Sequence, residues 1–242
     1  MDKKRPGGEL ASRPLHFFWI ADCSGSMGVD GKIQSLNNAI REAIPEMRAT
    51  ASENPNAQVL MRAIRFSSGA QWHISQPTPV EEFKWEDLEA DGVTDMGKAF
   101  SLLAEQLTIP PMEERALPPV LVLVSDGQPS DDYFSGLKKI DELPWGIKAV
   151  RLSIAIGEDA DHDVLKKFMG RYAEEVGPLQ ANNPSDLKNY VKWVSTEVVK
   201  TASSPPSADL EKESEPESII TNVPILLPPG RYEGPDAADD VW

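Results

Sequence analysis

The sequence is poor in the residues that carry most covalent and metal chemistry. It has one cysteine and three histidines in 242 residues. A single cysteine excludes an intrachain disulfide and any multi-cysteine zinc site, and it fits a reducing compartment. Basic residues are also scarce, with 24 Lys and Arg against 39 Asp and Glu for a net charge of −15. A surface of that sign argues against nucleic acid, which needs cationic neutralisation, and against docking on an anionic membrane. Long apolar runs are missing. Leu15 to Ala21 is too short to span a bilayer, and no small-residue cleavage site follows it. Neither a signal peptide nor a transmembrane helix is read, and the expected location is cytoplasmic.

What remains is a soluble globular balance, 40% hydrophobic and 26% charged. Composition shifts near residue 200. From Val199 onward there are nine acids against three bases, with Pro205, Pro206, Pro216, Pro224, Pro228, Pro229 and Pro235 among them. The expected organisation is a flexible N-terminus over 1–12, a folded domain over 13–199, and an acidic proline-rich tail over 200–242. Within the tail, 218–229 (SIITNVPILLPP) is apolar and is a candidate docking segment, either on the domain or on a partner.

Apolar runs alternate with helical patterns before residue 200. Residues 15–21, 59–66, 70–74, 120–125 and 149–156 read as strands, with a short one near 176–180. Ile33, Leu36, Ile40, Ile44 and Met47 recur at helical spacing, as do Met96, Ala99, Phe100, Leu103 and Leu107. Further helices are predicted from Phe134, Leu137 and Ile140, from Val164 to Tyr172, and from Leu187 to Val198. Nearly continuous apolar strands between helices imply a doubly wound, Rossmann-like α/β domain with a mostly parallel sheet and helices on both faces. The 59–74 hairpin supplies one antiparallel edge strand. A ligand site is expected at the carboxyl ends of the strands.

Three segments converge there. The first strand ends in Asp22-Cys23-Ser24-Gly25-Ser26, the central strand in Ser125-Asp126-Gly127, and the loop before the second helix reads Gly92-Val93-Thr94-Asp95-Met96-Gly97. Their carboxylates and hydroxyls are hard oxygen ligands, suited to Mg²⁺, with Mn²⁺ as an alternative and Ca²⁺ less favoured. Alternation along an extended loop is expected to point Asp22, Ser24 and Ser26 to one side.

DCSGSM, GVTDMG and VSDG, in that order, resemble the motifs of von Willebrand factor type A domains. The resemblance covers roughly 13–199 and implies a metal-ion-dependent adhesion site made by Asp22, Ser24, Ser26, Thr94 and Asp126. It also implies an open coordination position for a partner's Asp or Glu. Asp95 is expected as a helix N-cap or an accessory acceptor. With no leader read, the chain is similar to the compact bacterial cytosolic group associated with tellurite resistance (TerY-like). In that group such domains accompany a serine/threonine kinase and a PP2C-type phosphatase.

The expected function is therefore a non-enzymatic, metal-dependent protein-interaction module. A metal-dependent phosphatase or hydrolase and a chelatase-associated subunit are the alternatives. Other look-alikes are weak. Cys23 lacks the Arg at 29 of a C-x₅-R phosphatase loop, and Gly25 to Lys32 has the wrong spacing for a phosphate loop. Asp159, Asp161 and Asp163 lack the glycine and glutamate of a calcium loop and read as acids at a helix start. Trp72 and Trp85 read as edge or core packing.

Overall fold

The computed structural model describes residues 12–203 apart from 55 and 127. The expectations for the N-terminal arm and for 218–229 lie outside the described residues.

Six strands form one sheet: β1 (Arg13–Asp22), β2 (Ala57–Ser67), β3 (Gly69–Pro79), β4 (Val120–Ser125), β5 (Val150–Ile156) and β6 (Leu179–Ala181). Their order is β3-β2-β1-β4-β5-β6. All neighbours are parallel except the β2–β3 hairpin, so the fold is the predicted doubly wound one with an antiparallel edge. The chain adds strands first to one side of β1 and then to the other. The carboxyl ends of β1 and β4 therefore meet where the order reverses, the place where such sheets hold ligands.

The strand sequences explain the two-sided burial. Along β1, Phe17, Trp19 and Ala21 join one core while Phe18 and Ile20 join the other. On β4, Val120, Val122 and Val124 alternate in the same way with Leu121 and Leu123. Side chains that alternate faces must all be apolar when both faces are covered.

Helices α1 (Lys32–Ser52) and α7 (Pro184–Trp193) lie over the first core. Helices α2 (Met96–Gln106), α3 (Tyr133–Asp141) and α5 (His162–Met169) lie over the second. The short α4 (Pro144–Lys148) and α6 (Tyr172–Glu175) complete the connections. After α7, a π turn over Val194–Val198 leads into α8 (Val199–Ser203), so the helical path runs past the expected boundary at 199.

Two local readings are corrected. Phe134 was expected on the buried stripe of α3, yet it is exposed, and Tyr133, Leu137 and Ile140 are the buried residues. Spacings of four and three put 133, 137 and 140 on one face, and 134 falls beside it. Asp22, Ser24 and Ser26 do not lie along an extended loop. Ser24 is extended (φ −65, ψ 166), but a 3₁₀ turn begins at Gly25 and runs to Gly31.

α2 and α3 approach closely because both carry glycine at the contact. A methyl on Gly136 would run into the carbonyl oxygen of Gly97, and one on Gly97 into the backbone of Asp132. This contact fixes the start of α2, and with it the Thr94 loop, against the loop that follows β4.

Candidate metal centre

The register pairs Ala21 with Val124, so Asp22 and Ser125 emerge side by side from adjacent strands. The Ser125 hydroxyl donates to Asp22 Oδ2 at 2.6 Å. Asp22 Oδ1 accepts the Ser24 backbone N–H at 2.8 Å, an Asx-type closure that bends the chain into the 3₁₀ turn. That turn brings Ser26 back over the strand end. Ser24 Oγ and Ser26 Oγ are 2.9 Å apart, and Ser26 Oγ donates to Asp126 Oδ2. Asp22, Ser24, Ser26 and Asp126 thus converge as predicted, through turn closure rather than strand alternation.

Thr94 reaches the same end of the sheet through backbone bonds. Gly25 N–H donates to Gly92 O at 3.0 Å, and Asp91 N–H donates to Cys23 O at 2.8 Å. Gly92 has φ +80, and a side chain there would collide with the Ser68 hydroxyl, so glycine is required. On the other side, Thr94 N–H donates to Ser130 Oγ at 2.9 Å and Ser130 N–H to Thr94 O at 2.8 Å. Thr94 is buried, and among the described residues its side chain forms no hydrogen bond to the other four.

Of the two roles expected for Asp95, the structure gives the accessory acceptor. Its carboxylate takes the Gly69 N–H at 2.8 Å and the Lys98 ammonium at 2.6 Å, and no side-chain bond caps α2. The Lys98 hydrogen bond is the main cause holding its pKa below the usual carboxylate range. The cap comes from Asp131, which accepts from the backbone N–H groups of Gly97 at 2.8 Å and Lys98 at 3.0 Å. Asp131, Ser130 and Ser125 are site-supporting residues that the sequence reading missed. Ser125 carried a signal, since it is a hydroxyl closing an otherwise apolar buried strand. Ser130 and Asp131 carried none, because they lie in a loop without periodicity.

The electrostatics favour a cation. Asp22 is wholly buried, and its pKa is pushed up to about 6. Desolvation is the main cause, opposed by the bonds from Ser125 and Ser24 and reinforced by the nearby Asp126 charge. Asp126 is only 2% exposed. Among the described residues, neither carboxylate pairs with a lysine or arginine. Nor do three His, Cys, Asp or Glu side chains gather closely enough to hold a metal by themselves. An ion here would need hydroxyls beside the two carboxylates, and Ser24, Ser26 and Thr94 offer them, while the Ser125 hydroxyl is directed at Asp22. An all-oxygen set with two buried acids fits a hard divalent ion.

The competing features resolve as packing. Cys23 is buried, its Sγ faces the Ala21 carbonyl, and burial pushes the thiol up to about 12. Gly31 turns with φ +72 into α1, and Lys32 lies 3.9 Å from Asp159. Asp161 caps α5 by accepting from Asp163 N–H at 3.1 Å and Val164 N–H at 3.2 Å. His16 pairs with Glu113, His73 with the Glu86 carbonyl and His162 with Gln180, so no histidine bonds to a site residue. Trp85 packs in the core and donates to Asn37 Oδ1 at 3.0 Å, while Trp72 lies half-buried on the edge hairpin.

The fold that holds this site is that of the von Willebrand factor type A domain. Overlap with such a domain from Catenulispora acidiphila has a TM-score of 0.56 at 16% identity, covering 77% of this chain and 42% of that one. The ArnB paralog VWA2 from Sulfolobus acidocaldarius gives 0.55 at 16%, covering 75% and 45%. Proximal thread matrix protein 1 of the mussel byssus, solved with zinc in its MIDAS motif, gives 0.58 at 13%, covering 80% and 50%. The chain thus spans half or less of the length of these structures. No protein-family profile matches the chain, and no curated protein matches it in sequence. Among the described residues, no helix is long and apolar enough to cross a membrane.

Proposed function

We propose that this chain is a non-enzymatic, metal-dependent protein-interaction module. Asp22, Ser24, Ser26, Thr94 and Asp126 hold a divalent ion, with Mg²⁺ favoured over Mn²⁺ and Ca²⁺. The observation that carries this reading is the buried Asp22 and Asp126 pair, with no lysine or arginine partner among the described residues, beside clustered hydroxyls at the reversal point of the sheet. When bound, the ion supplies a Lewis-acid position for a carboxylate from a partner protein. The zinc-occupied motif of the mussel protein supports a divalent site in this fold.

The residues around the site favour binding over turnover. The one thiol is buried with its pKa raised, and the histidines are engaged elsewhere, so neither supplies a nucleophile or a base at the centre. Each oxygen of Asp22 already accepts a hydrogen bond and retains a second lone pair. The setting we propose is cytosolic: a tellurite-resistance-like stress response, or a complex with a serine/threonine kinase or PP2C-type phosphatase. Its support is the motif resemblance and the single buried cysteine.

Titration calorimetry with Mg²⁺ and Mn²⁺ on wild type and Asp22→Ala tests the site. Binding heat in the wild type that disappears in the variant is expected. Equal heats in both proteins would defeat the reading.

A further inference from the structure

The loops that build the candidate centre also carry apolar side chains into solvent. Val29, in the turn after Ser26, is 53% exposed; Val93, just before Thr94, is 50% exposed; Phe134, at the start of α3, is 56% exposed. Only two other large apolar side chains among the described residues are similarly exposed, Ile109 and Ile147. Val29 faces outward for a local reason. Its backbone is extended (φ −75, ψ 140) inside an otherwise 3₁₀ segment, and Asp30 follows with φ 52. Phe134 is held by stacking on Tyr133, with ring centroids 4.4 Å apart, and by the Lys167 ammonium 4.8 Å from its ring centroid. A polar, acid-seeking centre flanked by apolar side chains calls for a ligand with a carboxylate next to aliphatic residues.

This chain contains such a segment. Glu211, Glu213, Glu215 and Glu217 alternate directly before Ile219, Ile220, Val223, Ile225, Leu226 and Leu227. Its tether starts at a known place. Asn54, just past the C-terminal end of α1, donates to Ser203 Oγ, so the described chain ends there. The other end of α1, at Lys32, adjoins the candidate centre. A 21-residue helix is about 32 Å long, and that is the span to be crossed. An extended chain covers roughly 3.3 Å per residue. Glu211, about eight residues past Ser203, then reaches roughly 26 Å and falls short, whereas Glu217, about fourteen past, reaches roughly 46 Å.

We propose that residues 215–225 of this chain dock in cis on the face bearing the candidate centre. The carboxylate of Glu215 or Glu217 takes the position reserved for a partner's acid, and Ile219, Ile220 and Val223 cover Val29, Val93 and Phe134. The proposal rests on the metal reading above. Both the domain and the tail are acidic, so the docking needs the ion and also benefits from the tether. A short linker raises the local concentration of its end to about the millimolar range. An incoming partner must displace this segment, so partner affinity is set by competition with the chain itself.

Hydrogen exchange of the full chain across 211–229, in Mg²⁺ and in chelator and at two protein concentrations, tests the proposal. It is read beside Mg²⁺ calorimetry on the same samples. Exchange over 215–225 should slow by about tenfold or more in Mg²⁺. The slowing should vanish with chelator and in Glu215→Gln/Glu217→Gln, and persist in Glu211→Gln. Binding heat without any change in tail exchange overturns the docking and leaves the metal site standing. No binding heat overturns both. Protection that grows with protein concentration assigns the occupant to a second copy, and protection that survives chelator places it away from the ion; either result overturns the proposal.

Discussion

Ser125 and Asp22 lie on neighbouring strands 103 residues apart in sequence, and the serine hydroxyl donates to the buried carboxylate at 2.6 Å. This bond joins the carboxyl ends of β1 and β4 beneath the candidate centre. Ser125→Ala removes the donor and leaves a buried acceptor short of one partner. A stability loss of about 1–3 kcal/mol is expected from urea unfolding, with Mg²⁺ heat retained but weakened.

Asp22 separates the ion's effect from that of the fold. Without metal, Asp22→Asn removes a charge that burial disfavours, so unfolding stability should hold or rise slightly. With Mg²⁺ at a hundred times its dissociation constant, the wild type should gain about 2.7 kcal/mol and the variant little or nothing. Melting curves with and without Mg²⁺ on both proteins give the four values. A wild type that melts identically in Mg²⁺ and in chelator contradicts an ion site at this position.

Asp131 and Asp95 should behave differently although they flank the same helix start. Asp131→Ala removes the acceptor for the first N–H groups of α2 and is expected to cost about 1 kcal/mol. Asp95→Ala frees the Gly69 N–H and Lys98 instead. Its effect should appear as faster amide exchange in the Ser67–Gly69 turn, with α2 unchanged.

Gly136→Ala tests the α2–α3 contact. The added methyl would push against the Gly97 carbonyl and the Cβ of Phe100, and such overpacking costs about 1–3 kcal/mol. Because α2 carries the Thr94 loop, the same variant should weaken Mg²⁺ binding without touching any candidate ligand.

His16 gives a pH dependence with a defined sign. Burial is the main cause lowering its pKa below 6.5, opposed by its bond to Glu113. Below 6.5 the unfolded chain takes up a proton that the folded chain refuses. Stability contributed by neutral His16 is thus complete above 6.5 and declines as pH falls toward the folded value. Urea unfolding between pH 7.5 and 5.5 should show a smaller decline in His16→Gln than in the wild type. The comparison between the two proteins removes the contribution of Asp22, which titrates nearby in pH.

The parts of the fold legible in sequence were those governed by periodicity. β1 and β4 are apolar on both faces, and α1 buries Leu36, Ile40, Ile44 and Met47 as their spacing requires. The convergence of Asp22, Ser24, Ser26 and Asp126 was legible because motif order and strand ends coincide. What periodicity does not encode stayed hidden. The 3₁₀ turn at 25–31 is built from residues that usually mark loops, and its curl depends on Asp22 accepting the Ser24 N–H. That Asp131 rather than Asp95 caps α2 depends on Lys98, one turn along the same helix, and on Gly69, which reaches Asp95 only once the hairpin and α2 have packed. Phe134 reads as a core residue by type, and its one-residue offset from Tyr133 puts it beside the buried face of α3.

The reversal of strand order at β1 also makes the centre a record of assembly. The first strand contributes Asp22 early in synthesis, but the hydroxyl that completes its environment comes from β4, across a loop of about a hundred residues. A nascent or half-folded chain has the first half of the clasp and nothing to close it. On the proposed reading, an ion would be held only when both wings of the sheet are in place, so its binding would report a finished chain.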